Sequence, residues 1–185
     1  MEIHKLTNIF SEQEIKDLLF LQEDNTRVDN KLGRVISGNS LQIYLIKKIE
    51  KIVNEFSNIN LISSGATYIE YNNKYGDPNL PPHFDGDITD AILNFQLSSN
   101  TEWSIGLDTE IYNLEDNSGL LFHPNKNIHW RPIKKFKDGQ YVKMLLFRFI
   151  NSDKKTDYSH LIFDAKNKIF DEANKVRNSL NIEGN

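Results

Sequence analysis

The sequence predicts a mainly β fold, a sandwich or a barrel, with helices outside an antiparallel β core. Between residues 65 and 150 there are six or seven short β-prone segments, and turn residues at 116–119 and 137–139 separate several of them. Helical periodicity appears only before and after this region. So many strands in so short a stretch favour a sandwich or a barrel over alternating βαβ units.

The predicted strands are rich in β-branched and aromatic residues and are bounded by glycine, proline, asparagine or aspartate. They cover residues 65–71, 91–97, 102–107, 110–114, 119–122, 128–130 and 141–150.

Helices are predicted on both sides of these strands. Ser11 and Glu14 form a capping box for a helix over about 12–21, and Phe10 can pack on Ile15 as a hydrophobic staple. Ser40 can cap a second helix, whose apolar residues from Leu41 to Phe56 lie on one face. A third helical period runs over about 159–181. We therefore expect one domain over 1–185, with a helical N-terminal part at about 11–57, a β-core at about 61–150 and a C-terminal helix.

Composition limits the classes of function. With 185 residues, 38% of them hydrophobic, the chain can bury one core. A net charge of −4 makes no strong case for nucleic acid or for anionic membranes. The absence of cysteine excludes disulfides and thiolate metal sites, so histidine and carboxylate are the expected ligands of a metal. No signal sequence and no membrane-spanning run is recognised, and we expect a cytoplasmic protein of unspecified oligomeric state.

His83 and Asp85 form the first part of a candidate metal site. They are two residues apart, so in an extended segment both side chains leave the same face. Pro81 and Pro82 stiffen the entry to the pair. His129, inside a short β-prone segment, is the candidate third ligand, because two histidines and one carboxylate on one face leave three positions open on iron. The remaining histidines are expected to be structural or solvated: His4, His123 and His160.

The order of these motifs resembles the 2-oxoglutarate and Fe(II)-dependent oxygenases of the prolyl 4-hydroxylase type. A strand ending in Tyr71 leads through a loop containing Gly76 into the HxD pair at 83–85, and His129 follows some forty residues later. Gly119–Phe122, Pro132, Gly139 and the strand to Ile150 are similar to the second half of that family. The resemblance covers about residues 67–149.

This resemblance implies a double-stranded β-helix, also called a jelly roll or cupin-like fold, with flanking helices. It implies an oxygenase of the hydroxylase type that uses Fe(II), 2-oxoglutarate and O2, with ascorbate as reductant and with His83, Asp85 and His129 as metal ligands. Because halogenating relatives lack the carboxylate, Asp85 favours hydroxylation or oxidative demethylation. The expected substrate is an unidentified small molecule or peptide, such as a peptidyl or free amino acid.

The chain departs from the family at the residue that anchors 2-oxoglutarate. The family places an arginine or lysine two residues beyond the glycine that corresponds to Gly139, where this chain has Tyr141. A buried carboxylate needs a cation. We expect Lys143 first, or Tyr141, to replace the anchor, with Arg148 and Arg131 as alternatives. The competing interpretation for each cation is a strand-edge side chain whose head group is in water.

Two further polar residues are candidate co-substrate or substrate contacts. Tyr71 is carried over from the family pattern, although a strand tyrosine is more often part of the core. Asn94 lies on a strand that should line the cavity. Two other functions remain open on the sequence: a non-enzymatic cupin-like module that binds a metal or small molecule, and an isomerase or dioxygenase that uses the same triad without 2-oxoglutarate.

Overall fold

The computed structural model describes residues 2–20, 26–29, 34–39, 43–74, 76–85, 89–153 and 163–180. Ten strands and three helices lie in these ranges. The strands are β1 (His4–Thr7), β2 (Thr26–Asp29), β3 (Arg34–Asn39), β4 (Leu61–Asn72), β5 (Ala91–Ser99), β6 (Ile105–Leu107), β7 (Glu110–Tyr112), β8 (Ser118–Phe122), β9 (His129–Trp130) and β10 (Tyr141–Asn151). The helices are α1 (Glu12–Phe20), α2 (Ile43–Glu55) and α3 (Phe163–Ser179).

The strands form two antiparallel sheets. The larger has seven strands in the order β1-β8-β5-β10-β4-β3-β2, and the smaller has three in the order β7-β6-β9. The backbone of His83 extends the smaller sheet beyond β9. The His83 N–H donates to the His129 carbonyl at 3.1 Å, and the His83 carbonyl accepts a hydrogen bond from the His129 N–H at 3.0 Å. The mainly β prediction with flanking helices is confirmed.

Side chains of the larger sheet alternate between two apolar cores. We call the core between the two sheets the inner cluster; on β10 it takes Val142, Met144 and Leu146. The helix-side cluster lies between the larger sheet and helices α1 and α2, and on β10 it takes Leu145, Phe147 and Phe149. The period of two along a strand thus separates the interior of the sandwich from the helix-covered face.

Helices α1 and α2 form as their sequences predict. The Ser11 N–H donates to Glu14 Oε2 at 2.7 Å and the Glu14 N–H donates to Ser11 Oγ at 3.3 Å, which completes the capping box. In α2, Leu45, Ile49 and Val53 are buried at helical spacing. The predicted cap Ser40 lies outside the described residues.

The predicted helical part over 11–57 also contains strands. β2 and β3 form a hairpin, and β3 pairs with β4 at the edge of the larger sheet. β1 pairs with β8 at the opposite edge. Helix α3 begins at Phe163 in the described part of the chain, and the predicted residues 159–162 lie outside it. Within the described ranges, no helix has the length and apolar composition needed to cross a membrane.

Candidate metal and co-substrate site

His83, Asp85 and His129 converge at one point of the smaller sheet. The two-residue strand β9 carries His129, and the backbone bridge to His83 aligns the two histidines side by side, with ring centroids 4.0 Å apart. One donor atom from each of the three residues lies within 4.8 Å of the others. Asp85 Oδ1 is 3.6 Å from His83 Nε2 and 3.5 Å from His129 Nε2. The structure therefore brings the three predicted ligands together.

The three side chains differ in exposure. His83 is 35% exposed, Asp85 15% and His129 4%. The imidazole of His129 contacts the Phe122 ring of the inner cluster, with centroids 5.4 Å apart. The site thus opens to solvent on the His83 side and is closed by the sandwich on the His129 side.

The protonation states suit a metal. Pro81 has a carbonyl that can only accept, so the 2.8 Å contact to His83 Nδ1 makes that nitrogen the donor and leaves the Nε2 lone pair free for a cation. Burial lowers the pKa of His129, which favours the neutral ring. Burial raises the pKa of the Asp85 carboxyl, but the neighbouring His129 and His83 outweigh this effect and hold that pKa well below its usual range.

Two buried polar atoms of this group lack a hydrogen-bond partner among the described residues. They are Asp85 Oδ2 and His129 Nδ1. A buried carboxylate oxygen without a donor is costly unless a cation satisfies it. Together with the donor set of two imidazoles and one carboxylate, this fits a divalent transition metal with open coordination positions.

Arg131 lies two residues beyond His129 and is fully buried. Its Nη1 donates to the Trp103 carbonyl, its Nη2 lies 2.9 Å from Met144 Sδ, and its Cζ is 4.7 Å from the centre of the Trp103 ring. Burial lowers the pKa of the guanidinium to about 10, although Tyr71 nearby opposes this shift. No carboxylate pairs with Arg131 in the described part of the chain, and its Nε has no hydrogen-bond partner there.

The other predicted anchors lie elsewhere on β10. By the alternation along the strand, Tyr141 and Lys143 lie on the helix-side face, and Lys143 Nζ sits 5.1 Å from the centre of the Tyr141 ring. Arg148 falls on the inner face with Leu146, and its Nη1 donates to Thr67 Oγ1 at 2.8 Å. Arg131, one of the two alternatives on sequence, is thus the most deeply buried of the predicted anchors.

The two predicted polar contacts both line the interior. Tyr71 is buried in the inner cluster, where its ring meets Trp103 edge-on with centroids 4.8 Å apart. Asn94 is 6% exposed, and its Oδ1 has no partner among the described residues. Its neighbours across the sheet are Leu120 and Leu146, both in the inner cluster.

Sequence reasoning did not identify Asp108, which supports β9 from the neighbouring turn. Its carboxylate accepts hydrogen bonds from the Ile128 N–H and the Asn127 amide, both at 2.9 Å, and its carbonyl accepts one from Trp130 Nε1 at 3.0 Å. Asp108 has a positive φ of 53°. An aspartate between two short strands is a common turn signal, so its position in the sequence does not connect it with His129.

The sequence matches no known family, whereas the fold is similar to that of many solved structures. No family model and no curated protein matches the chain. Among solved structures, the viral collagen prolyl hydroxylase vCPH from Paramecium Bursaria Chlorella virus-1, complexed with 2OG, matches with a TM-score of 0.59 and 14% identity, over 81% of this chain and 97% of that one. HygX from Streptomyces hygroscopicus, with nickel and 2-oxoglutarate bound, matches with a TM-score of 0.61 and 10% identity, over 82% and 83%.

A third similar structure is SnoN, a non-heme alpha-ketoglutarate-dependent epimerase from nogalamycin biosynthesis. Its TM-score is 0.62 at 9% identity, over 81% of this chain and 78% of that one. Identities this low establish a shared architecture and leave chemistry to the site. The resemblance predicted from the motifs is therefore confirmed at the level of the fold: the chain folds as the 2-oxoglutarate and Fe(II)-dependent oxygenases do.

Proposed function

We propose that the chain is a non-haem Fe(II) and 2-oxoglutarate-dependent oxygenase of the hydroxylase type, built on a double-stranded β-helix. One observation carries the proposal. Two histidines and one aspartate converge at the wall of the sandwich, and a fully buried arginine without a described carboxylate partner lies two residues further into it. A metal bound by this triad and a buried guanidinium without an anion suit a dianion that chelates the metal at one end and pairs with the arginine at the other.

His83, Asp85 and His129 would hold the iron. When bound, Fe(II) supplies the activation of O2 and the oxidative decarboxylation of 2-oxoglutarate to succinate and CO2, with the second oxygen atom going to the substrate. The protein contributes a neutral His129, an ionised Asp85 and a His83 ring fixed by Pro81. Since Asp85 fills the carboxylate position of the triad, hydroxylation or oxidative demethylation is favoured over halogenation.

Arg131 is our proposed anchor for the distal carboxylate of 2-oxoglutarate. Side chains two residues apart on a strand leave the same face about 7 Å from each other, which suits a five-carbon diacid that chelates a metal at one end. The buried guanidinium gains its missing anion when the co-substrate binds. Lys143, the anchor favoured on sequence, lies on the helix-side face of β10.

Asn94 and Tyr71 are proposed to complete the co-substrate pocket. The buried amide of Asn94 carries an Nδ2 group, and a carboxylate oxygen of the co-substrate would accept a hydrogen bond from it. Tyr71 is buried in the inner cluster near Arg131 and partly opposes the lowering of the Arg131 pKa by burial, and we assign its hydroxyl to the same carboxylate. The apolar side chains of the inner cluster around Asn94 and Tyr71 would exclude water from the bound 2-oxoglutarate.

The substrate is proposed to approach from the exposed side of His83. Nothing in the fold selects its class, because the similar structures include a collagen prolyl hydroxylase and HygX with hygromycin B bound. A peptidyl or free amino acid and a small metabolite both remain compatible with the open side of the site.

The test is succinate release from purified protein with Fe(II), 2-oxoglutarate, ascorbate and O2. Uncoupled turnover without the true substrate should yield succinate slowly, and His129→Ala should abolish it. The absence of succinate, together with no binding of 2-oxoglutarate by calorimetry, would refute the oxygenase proposal and favour a cupin-like binding module.

A further inference from the structure

Helix α3 lies against the outer side of the segments that carry the metal and co-substrate residues. Its Ala173 is buried with Ile128 and Trp130, the two residues that flank His129. Phe170 and Val176 pack on the same small cluster. None of these side chains belongs to the site itself, but the cluster includes Phe84, Ile128 and Trp130, each of which is next to a proposed metal ligand in the sequence.

Phe170 contacts the residue between the two ligands of the HxD pair. Phe84 meets the Phe170 ring edge-on, with centroids 5.3 Å apart and an interplanar angle of 83°. In an extended segment Phe84 points away from the face shared by His83 and Asp85. The helix therefore contacts the ligand segment through Phe84, on the side opposite His83 and Asp85.

Arg177 makes a second link, to the proposed co-substrate anchor. The side chain is 6% exposed although it is charged. Its Nε donates to the Arg131 carbonyl at 2.9 Å, and its Nη2 donates to Asn79 Oδ1. The Arg131 N–H donates to the Leu80 carbonyl at 2.9 Å, so Arg177 spans the same two segments that this backbone bond joins. Its guanidinium thus fixes the backbone of Arg131 against the loop that leads into His83.

We propose that α3 is a positioning element for the reaction: Phe170 holds the His83–Asp85 segment in its ligating geometry, and Arg177 holds Arg131 at the depth where its side chain meets the co-substrate. This inference rests on the proposed function, because it assigns both residues to a site that binds metal and 2-oxoglutarate. Phe170 is expected to affect metal binding and Arg177 to affect 2-oxoglutarate binding, so the two roles can be measured separately.

The test uses the full chain and measures binding without turnover. Co(II) affinity is measured by calorimetry, 2-oxoglutarate affinity on the Co(II)-loaded protein, and thermal stability on every variant. Phe170→Ala should weaken Co(II) binding by about 10-fold or more, the usual effect of losing support behind a ligand, and Phe170→Leu should recover part of it. Val176→Ala, which trims the same cluster, is the control for lost packing.

Arg177→Met should weaken 2-oxoglutarate binding about 10-fold and leave Co(II) binding within a factor of about 2, by the same reasoning. Arg177→Lys should restore part of the affinity through one hydrogen bond. Lys175→Met is the matched control, since it removes one cation from an exposed position of the same helix.

If Phe170 and Arg177 variants lose thermal stability but bind Co(II) and 2-oxoglutarate as their controls do, α3 is a structural cover and the inference is overturned. If Phe170→Ala does not fold, Phe170→Leu against Val176→Ala decides the metal half. If the unaltered chain binds neither Co(II) nor 2-oxoglutarate, the proposed function fails instead.

Discussion

Replacing Arg131 with methionine should have opposite effects on the empty and on the ligand-bound protein. Methionine keeps most of the length of the side chain and removes its charge. The guanidinium is 0% exposed and has no carboxylate partner among the described residues. Without co-substrate it is thus a buried charge held by the Trp103 carbonyl, the Trp103 ring and Met144.

The magnitude follows from the burial of this charge. Replacement of an imperfectly compensated buried ion by an apolar side chain is often neutral or stabilising by about 1 to 4 kcal/mol. Burial lowers the pKa of Arg131 from 12.5 to about 10, which means that it destabilises the charged guanidinium by about 3 kcal/mol. This value lies within the range of about 1 to 4 kcal/mol. We therefore expect Arg131→Met to leave the free energy of unfolding of the empty protein unchanged or to raise it.

Binding of 2-oxoglutarate should respond in the other direction. Loss of the cation leaves the distal carboxylate buried and unpaired, which costs about 3 kcal/mol, or roughly 100-fold in Kd. With 2-oxoglutarate at 100 times the wild-type Kd, the native chain gains about 2.7 kcal/mol and the variant about 0.4 kcal/mol. For a domain of this size the thermal midpoint should rise by about 5 to 10 °C in the first case and by about 1 °C in the second.

The assay is thermal unfolding of Co(II)-loaded protein with and without 2-oxoglutarate. Lys143→Met is the matched control, because it removes a cation from the opposite face of β10. The same ligand-induced rise in Arg131→Met as in the native chain would refute the assignment of Arg131. Loss of that rise in Lys143→Met alone would return the anchor to the residue favoured on sequence.

Three further changes test other parts of the account. Asp85→Ala should fold normally yet lose the stabilisation by Co(II) and all succinate release; full activity in this variant would exclude the site. Burial lowers the pKa of His123 to about 4, so protonation favours unfolding, and the free energy of unfolding should fall by about 1 to 3 kcal/mol between pH 6.5 and pH 4. His123→Gln should flatten that slope in urea titrations, and an unchanged slope would contradict it. Gly106→Ala would place a Cβ 2.1 Å from the indole of the fully buried Trp130. It should therefore lower the free energy of unfolding in urea titrations by about 1 to 3 kcal/mol. A wild-type urea midpoint would contradict this and would mean that the indole moves to make room.

Local sequence signals were sufficient for most of the β-core and for the triad. The alternation of side chains and the bounding turn residues predicted all seven strands from β4 to β10, with end points shifted by a few residues. The HxD spacing required only that residues 83–85 be extended. His129 was selected because its neighbours are β-prone, and β9 is the two-residue strand that pairs it with His83.

Features that depend on tertiary packing were not predictable in this way. The hairpin of β2 and β3 is polar with two glycines and lacks alternation, and it pairs with the edge of β4. The period of two correctly separated Lys143 from Arg148, but it does not reveal which face of β10 looks into the sandwich. Only the arrangement of the two sheets decides that. Likewise, the helical period of α3 does not reveal that Phe170 meets Phe84.

The measurement that tests the central claim most directly is the visible absorption spectrum of the anaerobic protein with Fe(II) and 2-oxoglutarate. A charge-transfer band arises only when the keto acid chelates iron at one centre. We expect the band with the native chain, and we expect it to disappear in His83→Ala. Binding of iron without any band on addition of 2-oxoglutarate would contradict the claim that His83, Asp85 and His129 form a shared site for metal and co-substrate.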